Sequence, residues 1–420
     1  MGRHAAVPAK EPKEPRSGWS LAQRLLALGL LIGAIATAVG LVAQWPDKSQ
    51  QPAISDAFRS TSSLTGELAD GTVALENKGV CNSPSIGQIF TTAPVENAFA
   101  PKDCQHIIVD LTSGPDSGKR TLLEMHNVPG EPNLQVGDKI RLSVTGHTYA
   151  FQDYQRNMSL WLWLGATVVL LIVVGAWRGA RSIVGLAVTM AVILLFLLPA
   201  LARGGSPVML AVTCGAAVLY LVLFLVHGVG WKTAAALGGT LLALGLAAVL
   251  SHFAITTTHL RGLGNEANLQ VLVYLPQLNI TGLLLAGMIV GSLGVLNDVT
   301  IAQASTVSEL HELEPAAGPW RLFAGAMRVG RDHIASMMYT LVLSYTGVAL
   351  PTLLLLSLSG RPIEQILTSD VMATEILRSA TGALGLVAAV PLTTAIAAVT
   401  VRSRQGNPVP AEIVEKHRRG

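Results

Sequence analysis

The sequence GLLLAGMIVGSLGVLNDVTIAQASTVSELHE, residues 282–312, decides the fold class of this chain. It begins as an apolar, glycine-spaced run long enough to cross a bilayer, which takes about 20 helical residues. Asp298 lies within this run. A carboxylate at that depth costs at least about 2.5 kcal/mol unless it is paired, protonated or hydrated. The stretch therefore predicts a membrane helix that carries a functional carboxylate.

The composition agrees with a membrane protein. Half of the 420 residues are hydrophobic and 13% are charged, which is about half the charged fraction of soluble proteins, ~25%. The net charge of +3 comes with clustered bases, and such clusters report membrane topology rather than nucleic-acid binding. We therefore expect the lipid bilayer to be the main partner and expect no nucleic acid.

Eight apolar runs are long enough to span, and one polar insert separates the first two. The fold class predicted is an all-α membrane bundle of about eight transmembrane helices with a small β-rich extracytoplasmic domain. The runs lie near residues 21–43, 160–177, 183–201, 206–226, 232–255, 280–300, 334–357 and 378–401. The last seven make up a predicted membrane domain over residues 160–401.

The distribution of Lys and Arg predicts the orientation. Residues 1–20 and 402–420 are basic tails, and the positive-inside rule places both in the cytoplasm of a bacterial plasma membrane. The same rule puts Arg178 and Arg181 in an inner loop, and Lys232 in the next one. The bases of the two tails are Arg3, Lys10, Lys13, Arg16, Arg402, Arg404, Lys416, Arg418 and Arg419.

Residues 44–159 form the hydrophilic insert, which this orientation places outside the cytoplasm. Its first part, residues 46–70, is rich in Ser, Asp, Gln and Pro and is typical of a linker. Short alternating strands with turns follow, which suits a small OB-like barrel or sandwich. The predicted strands are Thr72–Glu76, His106–Leu111, Arg120–His126 and Lys139–Thr145.

Cys81 and Cys104 both lie in the insert, and an exported domain favours a disulfide between them. The alternative, two free thiols that bind a metal, lacks partners at ligand spacing, since His106 alone is not enough. Cys214 lies in an apolar run and is expected to be an inert apolar residue. We expect no metal and no cofactor.

Two sets of residues in the quoted stretch, one small and one polar, are each spaced to share a helical face. Gly287, Gly291 and Gly294 are spaced for close helix packing. The polar residues predict a proton or ion path from the membrane interior to the cytoplasm, and they are Asn297, Asp298, Ser305, Glu309 and Glu312. The alternatives are glycines that serve helix packing alone, a static ion pair or hydrogen bond for Asp298, and an ordinary solvated helix end for the segment that includes Glu309, His311 and Glu312.

The candidate counter-charges follow in the next span. Arg328, Arg331 and Asp332 enter it from the cytoplasmic side. Arg331 is the predicted partner of Asp298 or Glu309, because it is close to the membrane on that side.

Two segments carry a family resemblance. The sequences TGLLLAGMIVGSLGVLNDVTIAQASTVSEL (281–310) and GRDHIASMMYTLVLSYTGVALP (330–351) resemble the bacterial YibE/F family of multi-pass membrane proteins. The order of an anchor helix, an extracytoplasmic insert and a seven-helix run also agrees. The resemblance covers roughly residues 150–400 and implies a permease-like inner-membrane protein without an established substrate.

A fainter similarity concerns Asp298 alone. The helices around Asp298 and Glu309 are similar to those of the SecD/SecF and resistance-nodulation-division group. That group uses an intramembrane aspartate in proton coupling, and this similarity implies the same role for Asp298.

The predicted function is a plasma-membrane transporter, permease or transport accessory in which Asp298 couples an ion to an unknown small solute. The alternative is a non-transporting scaffold or sensor whose outer domain binds an envelope partner. An enzyme is not expected, because the sequence has no nucleophile elbow, no His-Glu metal pair and no phosphate loop. The glycine face is also compatible with a homo-oligomer.

Overall fold

The computed structural model describes residues 19–47, 49, 54–56, 58, 66–95, 97, 99 and 101–401. Residues Ile54–Ala176 form one compact unit, and the remainder of the chain forms the other. We call them the sheet unit and the helical unit. Most of both predicted basic tails, residues 1–18 and 402–420, lies outside the described residues, as does much of the predicted linker.

The sheet unit contains a six-stranded antiparallel sheet of order β2-β4-β3-β1-β5-β6. Its strands are β1 (Glu67–Gly79), β2 (Ile89–Phe90), β3 (Cys104–Leu111), β4 (Arg120–Met125), β5 (Lys139–Thr145) and β6 (Thr148–Tyr154). The prediction of a small β-rich domain is confirmed, and the four predicted strands correspond to β1, β3, β4 and β5. Strands β2 and β6 were not predicted.

The long strand β1 organises this sheet. Its residues 67–72 pair with β5, and its residues 71–79 pair with β3 across a register shift between Val73 and Leu75. Gly87 then links the two ends of the sheet. Its N–H donates to the carbonyl of Leu122 in β4, and its carbonyl accepts from the N–H of Tyr149 in β6, both at 2.8 Å. The sheet therefore curls around a core that includes Ile107, Leu142 and Tyr149.

The helical elements follow the apolar pattern of the sequence. They are α1 (Leu21–Ala43), α2 (Asn157–Val192), α3 (Leu198–Ala202), α4 (Pro207–His227), α5 (Trp231–Thr258), α6 (Glu266–Tyr274), α7 (Ile280–Leu313), α8 (Pro319–Ser357), α9 (Ile363–Leu367) and α10 (Asp370–Thr400). Among the described residues, seven helices are long and apolar enough to cross a membrane. A mainly helical chain with a separate small sheet is therefore confirmed.

The structure differs from the prediction of eight spans at the second and third runs. Both fall within the 46-residue segment Asn157–Ala202, in which two helices meet at a kink at Ala176 and a π-helical turn lies at Ile193–Leu197. The backbone is non-helical at Ala176 (φ 47°, ψ −135°). Helix resumes at once, so Arg178 and Arg181 lie on a helix and not in the predicted loop. Arg and Ala favour helix and outweigh the weak propensity of Gly179.

Helices α5, α7 and α10 pack against one another at the centre of the helical unit, with α4 and α8 against them. Their shared core includes Leu237, Ile289 and Leu386, none of which is exposed. Helix α7 continues without interruption from Ile280 to Leu313. The whole segment singled out in the sequence is therefore a single helix.

Candidate functional site

One face of α7 carries the small and polar residues that the sequence singled out. At 100° per residue they fall in a narrow band, and we call this band the α7 stripe. Ser305 is half-buried and the other members are exposed. The members of the stripe are Gly287, Gly291, Gly294, Asp298, Ser305, Glu309 and Glu312. The stripe therefore forms an open surface of the helical unit.

Asp298 lies near the middle of α7 on this stripe. No ion pair or hydrogen bond joins its side chain to another described residue. Its neighbour Asn297 turns toward α4 and lines a cavity with Thr189, Cys214 and Gly294. The buried Oδ1 atom of Asn297 has no hydrogen-bond partner among the described residues. Asp298 and Asn297 therefore point to different sides of α7.

The predicted counter-charges are not paired with the stripe. Arg328, Arg331 and Asp332 are exposed on α8, and the ion pairs of the described residues include none of them. Tyr345 of α8 lies close to the stripe at Gly291. A Cβ atom added to Gly291 would meet the Tyr345 hydroxyl at 2.9 Å. The counter-charge role of Arg331 stays a prediction.

The three glycines of the stripe differ in their surroundings. A Cβ added at Gly287 or Gly294 would meet no atom within 4 Å, whereas Gly291 is approached by Tyr345. Of these three glycines, Gly291 alone therefore has a side chain of another helix within reach of an added Cβ. Close helix packing along the whole face remains a prediction that needs a partner.

Two cavities lie along the lower half of the stripe. The first, which we call the basic cavity, has a volume of about 430 Å³ and includes Arg178, Arg181 and Ser305 in its lining. The second, the acidic cavity, has a similar volume of about 430 Å³ and includes Glu309 and Glu312. His227 and Lys232 line both. The stripe therefore leads from Asp298 to two open, charged cavities at one end of the helical unit.

A buried polar cluster that was not predicted from the sequence lies on the opposite side of α7. It joins α5, α7 and α10, and none of its side chains is exposed. The hydroxyl of Thr394 donates to Gln303 Oε1 at 3.0 Å. Gln303 Nε2 and Thr393 Oγ1 have no partner among the described residues. The cluster consists of Thr240, Thr300, Gln303, Thr393 and Thr394.

Two glycines make room for this cluster. A Cβ at Gly239 of α5 would lie 2.9 Å from Thr393 Cα, and one at Gly330 of α8 would lie 2.9 Å from Gln303 Nε2. Gly330 begins the Gly-Arg-Asp sequence that carries part of the family resemblance. Its physical role is to let α8 approach Gln303. The sequence shows that Gly330 is a small residue, but not that it faces a polar residue of a neighbouring helix.

His311 also differs from expectation. A solvated helix end was one expectation for the segment that contains this residue, but His311 is buried, with 9% of its surface exposed. Neither ring nitrogen has a partner among the described residues. The available signal was its position four residues after Val307 and seven after Ala304, on the apolar face of α7.

In the sheet unit, the predicted disulfide between Cys81 and Cys104 is confirmed. Glu124 lies close to both sulfur atoms, and its carboxylate accepts from the N–H of Asn82 at 2.8 Å. His106 Nε2 lies 3.4 Å from Glu124 Oε2. Because both sulfur atoms are held in the disulfide, they offer no thiolate to a metal.

Comparison with known proteins identifies the family. A family model described as YibE/F-like protein matches residues 163–403, more than half of the chain. No curated protein and no solved structure matches the chain. The matched range contains α4 to α10, including the α7 stripe and the buried polar cluster. The resemblance found in the sequence is therefore confirmed, and the chain belongs to the YibE/F-like family.

Proposed function

We propose that this chain is a multi-pass plasma-membrane protein that transports, or helps to transport, a small solute or ion. In this proposal Asp298 gains and loses a proton as part of the transport cycle. The family match and the seven long apolar helices support the membrane location. No catalytic role is proposed.

The position of Asp298 carries the proposal. It lies midway along an apolar helix, on an exposed face, without a cationic partner among the described residues. An unpaired carboxylate there costs at least about 2.5 kcal/mol in a membrane. Protonation or access to water removes that cost. A carboxyl group that is protonated in the apolar state and ionised in the hydrated state carries a proton between them.

The part of the stripe from Ser305 to Glu312 supplies a route to and from Asp298. Ser305 and Glu309 follow it at roughly 10 and 16 Å along the helix, at 1.5 Å per residue. Both line open cavities, although Asp298 lines neither. A proton can pass between Asp298 and Ser305 only if water reaches this part of the stripe, or if another surface covers it and encloses water, during transport.

We infer that both termini are cytoplasmic and that residues 44–159 are outside, which requires the 46-residue segment Asn157–Ala202 to cross the membrane twice, turning at Ala176. The distribution of bases supports this orientation. The disulfide supports it independently, since such bonds persist in oxidising compartments.

Uptake and efflux profiling tests the proposal. A deletion strain would be complemented with the wild type, Asp298→Asn, Asp298→Glu and, as a matched control, Glu364→Gln, which alters an exposed carboxyl on α9. We expect Asp298→Asn to reach the membrane at wild-type level but to abolish transport, and Asp298→Glu to retain part of it. Normal transport by Asp298→Asn would refute the proton-carrying role.

The second candidate is a scaffold or sensor whose outer unit binds an envelope partner. One observation favours it: Phe99 is fully exposed and Val95 is 60% exposed, in the same segment of the sheet unit. If this role is correct, the double variant Val95→Ser with Phe99→Ser would fail to complement the deletion strain, whereas Asp298→Asn would complement it.

We also infer that the sheet unit is an OB-like barrel. The long strands form the cyclic order β1-β3-β4-β6-β5, with Gly87 joining β4 to β6. Five strands in a partly open barrel are typical of this fold.

A further inference from the structure

We propose that the basic cavity binds a phosphate group, presented by an anionic phospholipid of the inner leaflet. This inference rests on the membrane location proposed above and not on transport. The basic side chains come from three different helices and line one volume. They are Arg178 and Arg181 from α2, His227 from α4 and Lys232 from α5.

The charged residues that line this cavity are all basic, although His227 and Lys232 also line the acidic cavity with Glu309 and Glu312. The lining of the basic cavity contains no carboxylate, and the ion pairs of the described residues include none of its four basic side chains. In contrast, Arg321 pairs with Glu314 and Arg378 pairs with Glu375 in the same helical unit. Arginine and lysine without acidic partners are the groups that recognise phosphate.

The apolar residues that line the cavity suit a lipid chain. Val226, Ile301 and Ala302 line the cavity beside the bases, so a polar head and an apolar chain can both be accommodated. The volume of about 430 Å³ falls within the range of small-molecule sites, about 300–1,000 Å³. Basic pockets between membrane helices on the cytoplasmic side are known to hold anionic head groups.

Aromatic residues place the cavity at headgroup depth. The guanidinium of Arg181 lies 5.7 Å from the ring centroid of the exposed Trp177. Trp231, at the start of α5, makes an edge contact with Trp19 at 5.1 Å. Tryptophan concentrates at membrane–water interfaces, where lipid phosphates lie.

Native mass spectrometry of the full-length protein in detergent tests this proposal. The wild type would be titrated separately with phosphatidylglycerol, phosphatidylcholine and inorganic phosphate. The cavity variant is Arg178→Gln with Lys232→Gln. The matched control is Arg24→Gln with Arg321→Gln, which removes the same charge from residues that do not line the cavity.

We expect the wild type to retain phosphatidylglycerol in preference to phosphatidylcholine. The cavity variant should bind it roughly 30-fold more weakly, at about 1 kcal/mol per base, and the control should bind normally. A second variant, Ala302→Phe, fills the cavity while keeping every base, and it should lose the lipid as well. This variant also covers the case in which the charge variant fails to fold.

Three results would overturn the proposal. The first is an equal loss in the cavity variant and the control, which would show a general surface charge effect. The second is equal retention of phosphatidylcholine. The third is wild-type binding that Ala302→Phe leaves unchanged in a folded protein. In the second case, binding of inorganic phosphate by the wild type would assign the cavity to free phosphate rather than to lipid.

Discussion

The hydroxyl oxygens of Thr240 and Thr300 lie 2.6 Å apart, fully buried at the contact between α5 and α7. Two long apolar helices are thus joined by a polar contact about half a turn from Asp298 along α7. The contact lies beside Gln303 and Thr393, whose side chains retain an unpaired polar atom among the described residues.

The Thr240–Thr300 contact should be energetically coupled. We expect Thr240→Val and Thr300→Val each to lower the free energy of unfolding, with a coupling of about 0.6 kcal/mol, the average for polar pairs in membrane proteins. A double-mutant cycle measured by detergent-induced unfolding checks this value. Strictly additive effects would show that the two hydroxyls do not interact.

Gly239 should tolerate no side chain. Gly239→Ala would place a Cβ against Thr393, and we expect a loss of about 1–3 kcal/mol through overpacking. Gly245→Ala on the same helix is the control, because a Cβ there meets no atom within 4 Å. Thermal unfolding of both variants in detergent is the measurement. Similar stability of the two would contradict the close approach of α5 and α10.

The disulfide should stabilise the sheet unit. Its cysteines are 23 residues apart, and in the chain-entropy model closure of such a loop contributes about 3 kcal/mol. We expect Cys81→Ser with Cys104→Ser to increase hydrogen exchange in β1 and β3 of the full-length protein. Cys214→Ala, which alters α4, should leave exchange in the sheet unchanged. Unaltered protection of the strands in the double variant would argue against this role.

The stability of the sheet unit should fall at both extremes of pH. The Tyr149 hydroxyl donates to Asp116 at 2.8 Å. Hydrogen bonds from Lys119 and Tyr149 lower the pKa of Asp116 below 3.8, so this contribution is present above pH 3.8 and is lost as the pH falls below it. Burial and the Asp116 carboxylate raise the pKa of Tyr149 to about 12.

The contribution of Tyr149 is therefore complete below pH 10 and is lost as the pH rises from 10 through 12. Hydrogen exchange of β6 as a function of pH measures both losses of stability, the acid one and the alkaline one. Tyr149→Phe should reduce the loss of stability at alkaline pH and weaken the loss at acid pH, while Asp103→Asn, at an exposed residue of the same unit, should change neither. An unchanged loss of stability at alkaline pH in Tyr149→Phe would contradict the assignment.

The sequence predicted the features that depend on local pattern. Apolar length located the long helices of the described residues, and the spacing of Asp298 and Glu309 predicted that they share a face if the helix is unbroken, as α7 is. Alternation located β1 and β4. Strand β2 was missed because two residues carry no periodic signal, and β6 was missed although Gly146 marks a hairpin turn before it.

Features that depend on contacts between distant helices were not predictable in this way. Gln303 and Thr393 are 90 residues apart, and their convergence depends on how α7 and α10 pack. The gathering of Arg178, His227 and Lys232 around one cavity has the same origin. Each base alone is typical of a cytoplasmic helix end, and only the packing of three helices makes a site.

The most direct test of the central claim is the reaction of Asp298 with a hydrophobic carbodiimide in native membrane vesicles, followed by peptide mass spectrometry. Such reagents modify protonated carboxyl groups in an apolar environment. The account predicts that Asp298 is labelled at neutral pH, that labelling declines as the pH rises, and that Glu309 and Glu312 react far less. Absence of labelling at Asp298, together with its ready reaction with a water-soluble carbodiimide, would show a permanently hydrated carboxylate and contradict the account.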